Sequence, residues 1–133
     1  MNRRLVRWLS GLILVPAICT ANPASWSAHA KPVNVATPQR YFLSTPLQAP
    51  GNRTPSREYY DSVRWRFESP TGVQPEAWLC LARDCVKLPS VTGRTIAFRG
   101  RRIREPLYFR FRLPRGAKQP VVVSGLQVLV NIR

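Results

Sequence analysis

The chain has 133 residues, with 21 Lys and Arg against 6 Asp and Glu and a formal charge of +15 at neutral pH. That length makes one domain able to bury roughly two thirds of its unfolded surface, enough for a single core and not for two. With one histidine, three cysteines and acids scattered singly, zinc chemistry, paired-carboxylate chemistry and hydrolase chemistry have no foothold, so neither an enzyme activity nor a cofactor is expected.

Met1 to Arg7 carries Arg3, Arg4 and Arg7 and no acid, and an apolar run from Leu9 to Cys19 follows, broken by Ser10, Gly11 and Pro16. These are the charged and apolar regions of a secretory signal peptide, and the run is shorter than the about 20 apolar residues a permanent membrane helix needs. The expected protein is exported and does not span the membrane. Two cleavage points present themselves, after Ala21, directly behind the apolar run, and after Ala30, where Ala28-His29-Ala30 is a small-x-small site. The first is preferred and makes residues 1–21 the signal peptide. Ile18 stands where a small residue normally precedes a lipidated cysteine, which disfavours an anchor on Cys19. Removing 1–21 takes away three arginines and no acid, so the formal charge falls from +15 to +12.

Residues 22–32 are rich in Pro, Ser and Ala without a period, and are expected to be mobile or loosely docked ahead of one domain over 33–133. His29 falls in this segment. Within the domain, Val33–Ala36 and Arg40–Leu43 are short strand candidates, and Pro50-Gly51-Asn52 is a turn. Val63, Trp65 and Phe67 then alternate with Arg64 and Arg66, giving a strand with an apolar face, on which Trp65 is core, and a cationic one. Ser69-Pro70-Thr71-Gly72 is the next turn, before candidates at Ala77–Leu81 and Cys85–Leu88. Thr92-Gly93 reads as a turn and Thr95–Phe98 as a strand. Leu107, Phe109, Phe111 and Leu113 alternate with Tyr108, Arg110 and Arg112, and Pro114-Arg115-Gly116 turns the chain again. Val121–Val123 is a further candidate, separated by Ser124-Gly125 from a last strand in which Leu126, Val128, Val130 and Ile132 share a face.

No segment of ten or more residues has a capped helical period, so the fold class is all-β. Seven to nine short antiparallel strands point to a β-sandwich like that of carbohydrate-binding modules, with a small barrel as the alternative. Loss of Cys19 with the signal leaves Cys80 and Cys85, an even number in an oxidising compartment. Around Leu81-Ala82-Arg83-Asp84 they suit a tight hairpin bridged by a disulfide; a redox pair normally has two residues between its cysteines, and a metal needs more ligands.

The other prominent feature is arginine. Arg64, Arg66, Arg99, Arg101, Arg102, Arg104, Arg110 and Arg112 are expected to combine with Tyr108 into a basic partner-binding face. The six acids, Glu58, Asp61, Glu68, Glu76, Asp84 and Glu105, read as local arginine partners. Export makes nucleic acid a poor fit, and an anionic envelope polymer or an acidic protein a better one. Exposed Trp26, Trp78, Tyr59 and Tyr60 are candidates for stacking on sugar rings.

Several fragments in order are similar to one known family. Ala24-Ser25-Trp26 opens the match; Arg64-Trp65-Arg66-Phe67 follows, then Leu79-Cys80, Cys85-Val86 and Leu88. Glu105-Pro106-Leu107, Pro114-Arg115-Gly116 and Val128-Leu129-Val130-Asn131-Ile132-Arg133 complete it. This order and spacing resembles the FlhE family of flagellar proteins. The resemblance implies a periplasmic β-sandwich with no enzymatic activity and an accessory role in flagellar assembly, motility and swarming. It further implies a flagellar or export-apparatus partner and a part in limiting proton entry through that apparatus. The arginine run at 99–104 is a departure from the family pattern.

Overall fold

In the computed structural model, which describes residues 11–16, 25–50, 58–70, 72 and 74–133, nine strands form two antiparallel sheets and no helix occurs among the described residues. Residues 11–16 have no regular structure; the rest of the signal region, the cleavage point after Ala21 and most of the turn at 50–52 lie outside the described residues. The strands are β1 (Ser25–Ala30), β2 (Val33–Val35), β3 (Phe42–Leu43), β4 (Tyr60–Glu68), β5 (Glu76–Leu81), β6 (Asp84–Leu88), β7 (Thr92–Thr95), β8 (Leu107–Arg112) and β9 (Val121–Ile132). The first sheet runs β1-β9-β4-β7, with β2 also on β9, and the second runs β3-β8-β5-β6. This is the sandwich expected from the alternation, at the upper end of the expected strand count.

The core lies where the inner faces meet. Val63, Trp65 and Phe67 of β4 and Leu126, Val128 and Val130 of β9 face Ala77, Leu79 and Leu81 of β5 and Leu107, Phe109 and Phe111 of β8, all buried. At its centre Phe67 packs edge-on against Phe109 and Phe111 at ring-centroid distances of 6.1 and 5.4 Å, an arrangement that the positive ring edge and negative ring face favour. Two-residue β3 is extended by pairing beyond it: the Ser44 amide donates to the Phe109 carbonyl, the Phe109 amide donates to Ser44 Oγ, and Leu47 and Leu107 exchange a pair of backbone bonds.

Four sequence readings are corrected. Residues 25–30 are not loosely docked: β1 pairs with Asn131 to Leu126 along its whole length, with Trp26 buried and Ala28 and Ala30 packed on the core. Its inward positions, a tryptophan and two alanines, carry too weak a periodicity to announce a strand. Trp26 and Tyr60 are therefore core residues and not sugar platforms, whereas His29 is exposed on β1.

The third correction concerns Thr92-Gly93, which belongs to β7 and not to a turn, while Phe98 of the expected 95–98 strand is a buried anchor in the following loop. Gly93 lies opposite Trp65, and a Cβ there would overlap the six-membered ring of the indole, so the glycine makes room for a side chain. The indole Nε1–H donates to the Ser90 carbonyl at 2.9 Å.

The fourth is Ser124-Gly125, which is a bulge inside the continuous strand β9. The register against β4 slips between Arg66 and Glu68, and Gly125 has φ of +60°, the left-handed conformation that a glycine bulge requires. The extra residue moves the inward set from Val121 and Val123 to Leu126, Val128 and Val130, and so explains two out-of-phase runs in one strand.

Candidate partner-binding surfaces

The eight arginines singled out by sequence fall into three groups. β4 and β8 lie in different sheets whose inner faces meet at Phe67 and Phe109, so their outward residues point away from each other.

On the outer face of the first sheet, Arg64 stands directly opposite Arg94 of β7, and on its other side opposite Leu129 of β9. Arg66 lies next along, opposite Thr92 and Gln127, with Glu68 at 3.5 Å from its guanidinium in an exposed pair. Among the described residues neither Arg64 nor Arg94 has an acid within ion-pair reach. Like charges directly across a strand pair destabilise it.

On the outer face of the second sheet, the Arg110 guanidinium lies 4.2 Å from the ring centre of Tyr41 and 4.7 Å from that of Trp78. Arg112 also faces both rings, donates from Nε to Glu76 at 2.7 Å, and reaches the Tyr41 hydroxyl at 3.1 Å. The bond from Arg112 holds the Glu76 carboxyl below its ordinary range. Arg110 Nε is buried with no hydrogen-bond partner among the described residues, and attraction to the two aromatic faces offsets part of that cost. This layer clamps the segment around Tyr41 across β8 and β5. It also occupies the ring faces that a sugar would need: Tyr41 and Trp78 stand at 82° to each other with guanidinium groups against them. Beside it, Gln39, Glu76, Arg112, Leu113, Pro114 and Arg115 line an open depression of about 560 Å³.

The third group sits at one end of the sandwich, on the loop joining β7 to β8. Burial of Phe98 and Ile103 pins this loop, as do backbone bonds from the Tyr60 amide to the Arg101 carbonyl and from the Gly100 amide to the Tyr60 carbonyl. The Tyr60 hydroxyl donates to the Glu105 carbonyl at 3.0 Å, and burial, reinforced by the Glu105 charge, pushes its phenol pKa up. Arg99 pairs with Asp61 at 3.1 Å. Arg101 bridges Asp84 at 2.5 Å and Glu105 at 3.3 Å, and so ties the loop to the tip of the β5–β6 hairpin.

That hairpin is the one the cysteine spacing predicts. Cys80 and Cys85 are directly opposed with Cα atoms 4.0 Å apart and are joined by a disulfide. At its tip Ala82 has φ of +53°, and its carbonyl accepts from the Tyr108 hydroxyl at 2.7 Å. Arg99 and Arg101 are thus held by acids, whereas Arg102 and Arg104 are exposed and have no ion pair among the described residues.

Five of the six acids, Asp61, Glu68, Glu76, Asp84 and Glu105, lie within ion-pair reach of arginine in the way their scatter suggests. Sequence reasoning missed Arg94, hidden when Thr92-Gly93 is read as a turn, and Tyr41, which belongs to no alternating run. Among the described residues no three of His, Cys, Asp and Glu gather as metal ligands, and no helix is long and apolar enough to cross a membrane.

Comparison with known proteins gives this geometry a setting. The family model for flagellar protein FlhE matches residues 33–133. The chain belongs to the FlhE family. FlhE of Escherichia coli (strain K12) is 29% identical over 135 residues, covering 96% of this chain and all of the relative. FlhE of Salmonella typhimurium is 29% identical over 131 residues, covering 96% of this chain and 98% of the relative. A crystal structure of FlhE superposes with a TM-score of 0.70 at 28% identity, over 82% of this chain and 96% of that one. Membership in the FlhE family assigns the chain a flagellum-related accessory role.

Proposed function

We propose that this protein is a periplasmic accessory factor of flagellar assembly and swarming motility that works by binding a flagellar or export-apparatus protein, and that its docking limits proton leak through that apparatus. The observation that carries the reading is the end of the sandwich at 96–106. There, buried Phe98 and Ile103 and the Arg101 bridges to Asp84 and Glu105 immobilise a loop that presents Arg102 and Arg104 to solvent. A rigid, unneutralised pair of guanidinium groups speeds encounter with an acidic surface and loses little freedom when it docks. The disulfide supports this by fixing the hairpin that holds Asp84.

In this reading residues 1–21 direct export and are removed after Ala21. Cleavage after Ala30 would strip β1 from β9 and take Trp26 out of the core. The test is to delete the gene in its host and restore it with or without residues 1–21. Rescue of swarming and flagellar number by the full chain alone, with a mature protein whose mass begins at Asn22, is the expected result. Rescue by the leaderless form, or no motility change on deletion, would overturn the reading.

A further inference from the structure

The outer face of the first sheet has a composition that neither the fold nor the docking loop explains. We propose that this face, through Arg64, Arg66 and Arg94, seats the domain on an anionic phospholipid bilayer.

Arg64 and Arg94 face each other across β4 and β7 with no acid near them among the described residues, and Arg66 follows on the same face two positions along β4. Three arginines on two adjacent strands have backbones about 5 to 7 Å from their nearest neighbour, and each guanidinium presents several donors suited to phosphate oxygens. Ser27 and His29 of β1, Gln127 and Asn131 of β9 and Ser62 of β4 occupy the rest of the face, with Glu68 at its margin. Two apolar side chains stand out of it, Val122 at 50% and Leu129 at 37% exposed, and Leu129 lies in the same cross-strand row as Arg64 and Arg94.

A sheet face on which Arg64 and Arg94 have no acid partner among the described residues, with isolated apolar tips beside them, matches a headgroup layer, where cations meet phosphate and short apolar groups reach the acyl boundary. The choice of lipid over an acidic protein follows from the apolar tips among the guanidinium groups, since Leu129 stands in the row of Arg64 and Arg94, while the depression that Arg66 lines with Glu68, Ser69 and Val91 lies at the end of the face where Glu68 stands. The two basic surfaces then have separate roles. The sheet face holds the domain at the membrane, while Arg102 and Arg104 at the end of the sandwich remain free for a protein partner. The inference goes beyond the proposed function, and the test is independent of it.

The test is co-sedimentation of the purified mature protein with vesicles of equimolar phosphatidylglycerol and phosphatidylcholine, compared with phosphatidylcholine alone, at low salt. Binding is expected only to the anionic vesicles. The double variant Arg64→Glu, Arg94→Glu is expected to lose partitioning by about tenfold or more, because two attractive charges become repulsive at the surface. Both positions are exposed, so circular dichroism should report an unchanged fold. A matched reversal on a loop, Arg115→Glu with Lys118→Glu, removes the same net charge and is expected to change partitioning by no more than about twofold to threefold. Equal losses in the two variants would reduce the effect to overall charge and overturn the proposal. So would retained vesicle binding in Arg64→Glu, Arg94→Glu, including the case where that variant instead loses binding to polyglutamate, which would assign the face to an acidic protein.

Discussion

A chain truncated after Gly125 is expected to give no soluble folded protein. Strand β9 is paired along both edges, with β1 and β2 on one side and β4 on the other. Residues beyond Gly125 supply Leu126, Val128 and Val130, all fully buried, and the whole pairing surface of β1. Their loss exposes the inner faces of Trp26, Val63 and Trp65 and opens the edge of β4 away from β7, a template for aggregation. Fully burying one such aliphatic side chain contributes about 1.5–3 kcal/mol, so three of them approach the entire stability of a domain this size. Immunoblots of soluble and insoluble fractions measure the outcome. Native accumulation of the truncated chain would show that the first sheet closes without β9.

The second large effect is expected from Phe109→Ala. Phe109 is fully buried, stacks on Phe111 at 5.9 Å and meets Phe67 of the opposite sheet, so its ring is where the two layers touch. Strand backbones are held by their ladders and cannot collapse into the space of a lost ring. The cost is therefore expected near the usual 3–5 kcal/mol for a buried Phe→Ala change. Chemical denaturation with an unchanged slope and a lowered midpoint would record it. A loss below about 1 kcal/mol would mean that the core repacks around the gap and that Phe109 is not its keystone.

The strands legible in the sequence are those whose inward positions are large and whose outward positions are charged. Val63-Arg64-Trp65-Arg66-Phe67 and Leu107 to Leu113 each have both qualities, and each is a central strand with the predicted side buried. β1 was hidden because alanine and serine differ little in hydrophobicity, although Trp26 anchors it as firmly as the other tryptophan of that sheet. β7 and the bulge in β9 were hidden by glycine, which marks a turn in most sequences. Here Gly93 yields space to Trp65, and Gly125 takes up a register slip.

The hairpin disulfide was legible because five-residue separation around a polar tip leaves facing positions in an antiparallel pair. The distribution of arginine was not. Strand alternation fixes which side of its own sheet a residue occupies, but which sheet the strand joins depends on long-range pairing that no local period encodes. The eight candidate arginines consequently divide between two opposite faces and one end. Their acid partners, Asp61 for Arg99 and Asp84 with Glu105 for Arg101, became assignable only in three dimensions.

The central claim is that an immobilised basic loop binds a flagellar or export partner. The most direct measurement is swarming of a deletion strain carrying the exported protein with Arg102→Glu and Arg104→Glu, alongside the melting temperature of the same purified variant. Swarming reduced to the level of the deletion, with normal accumulation and an unchanged melting temperature, is the predicted result. Full swarming by that folded, exported variant would contradict the account.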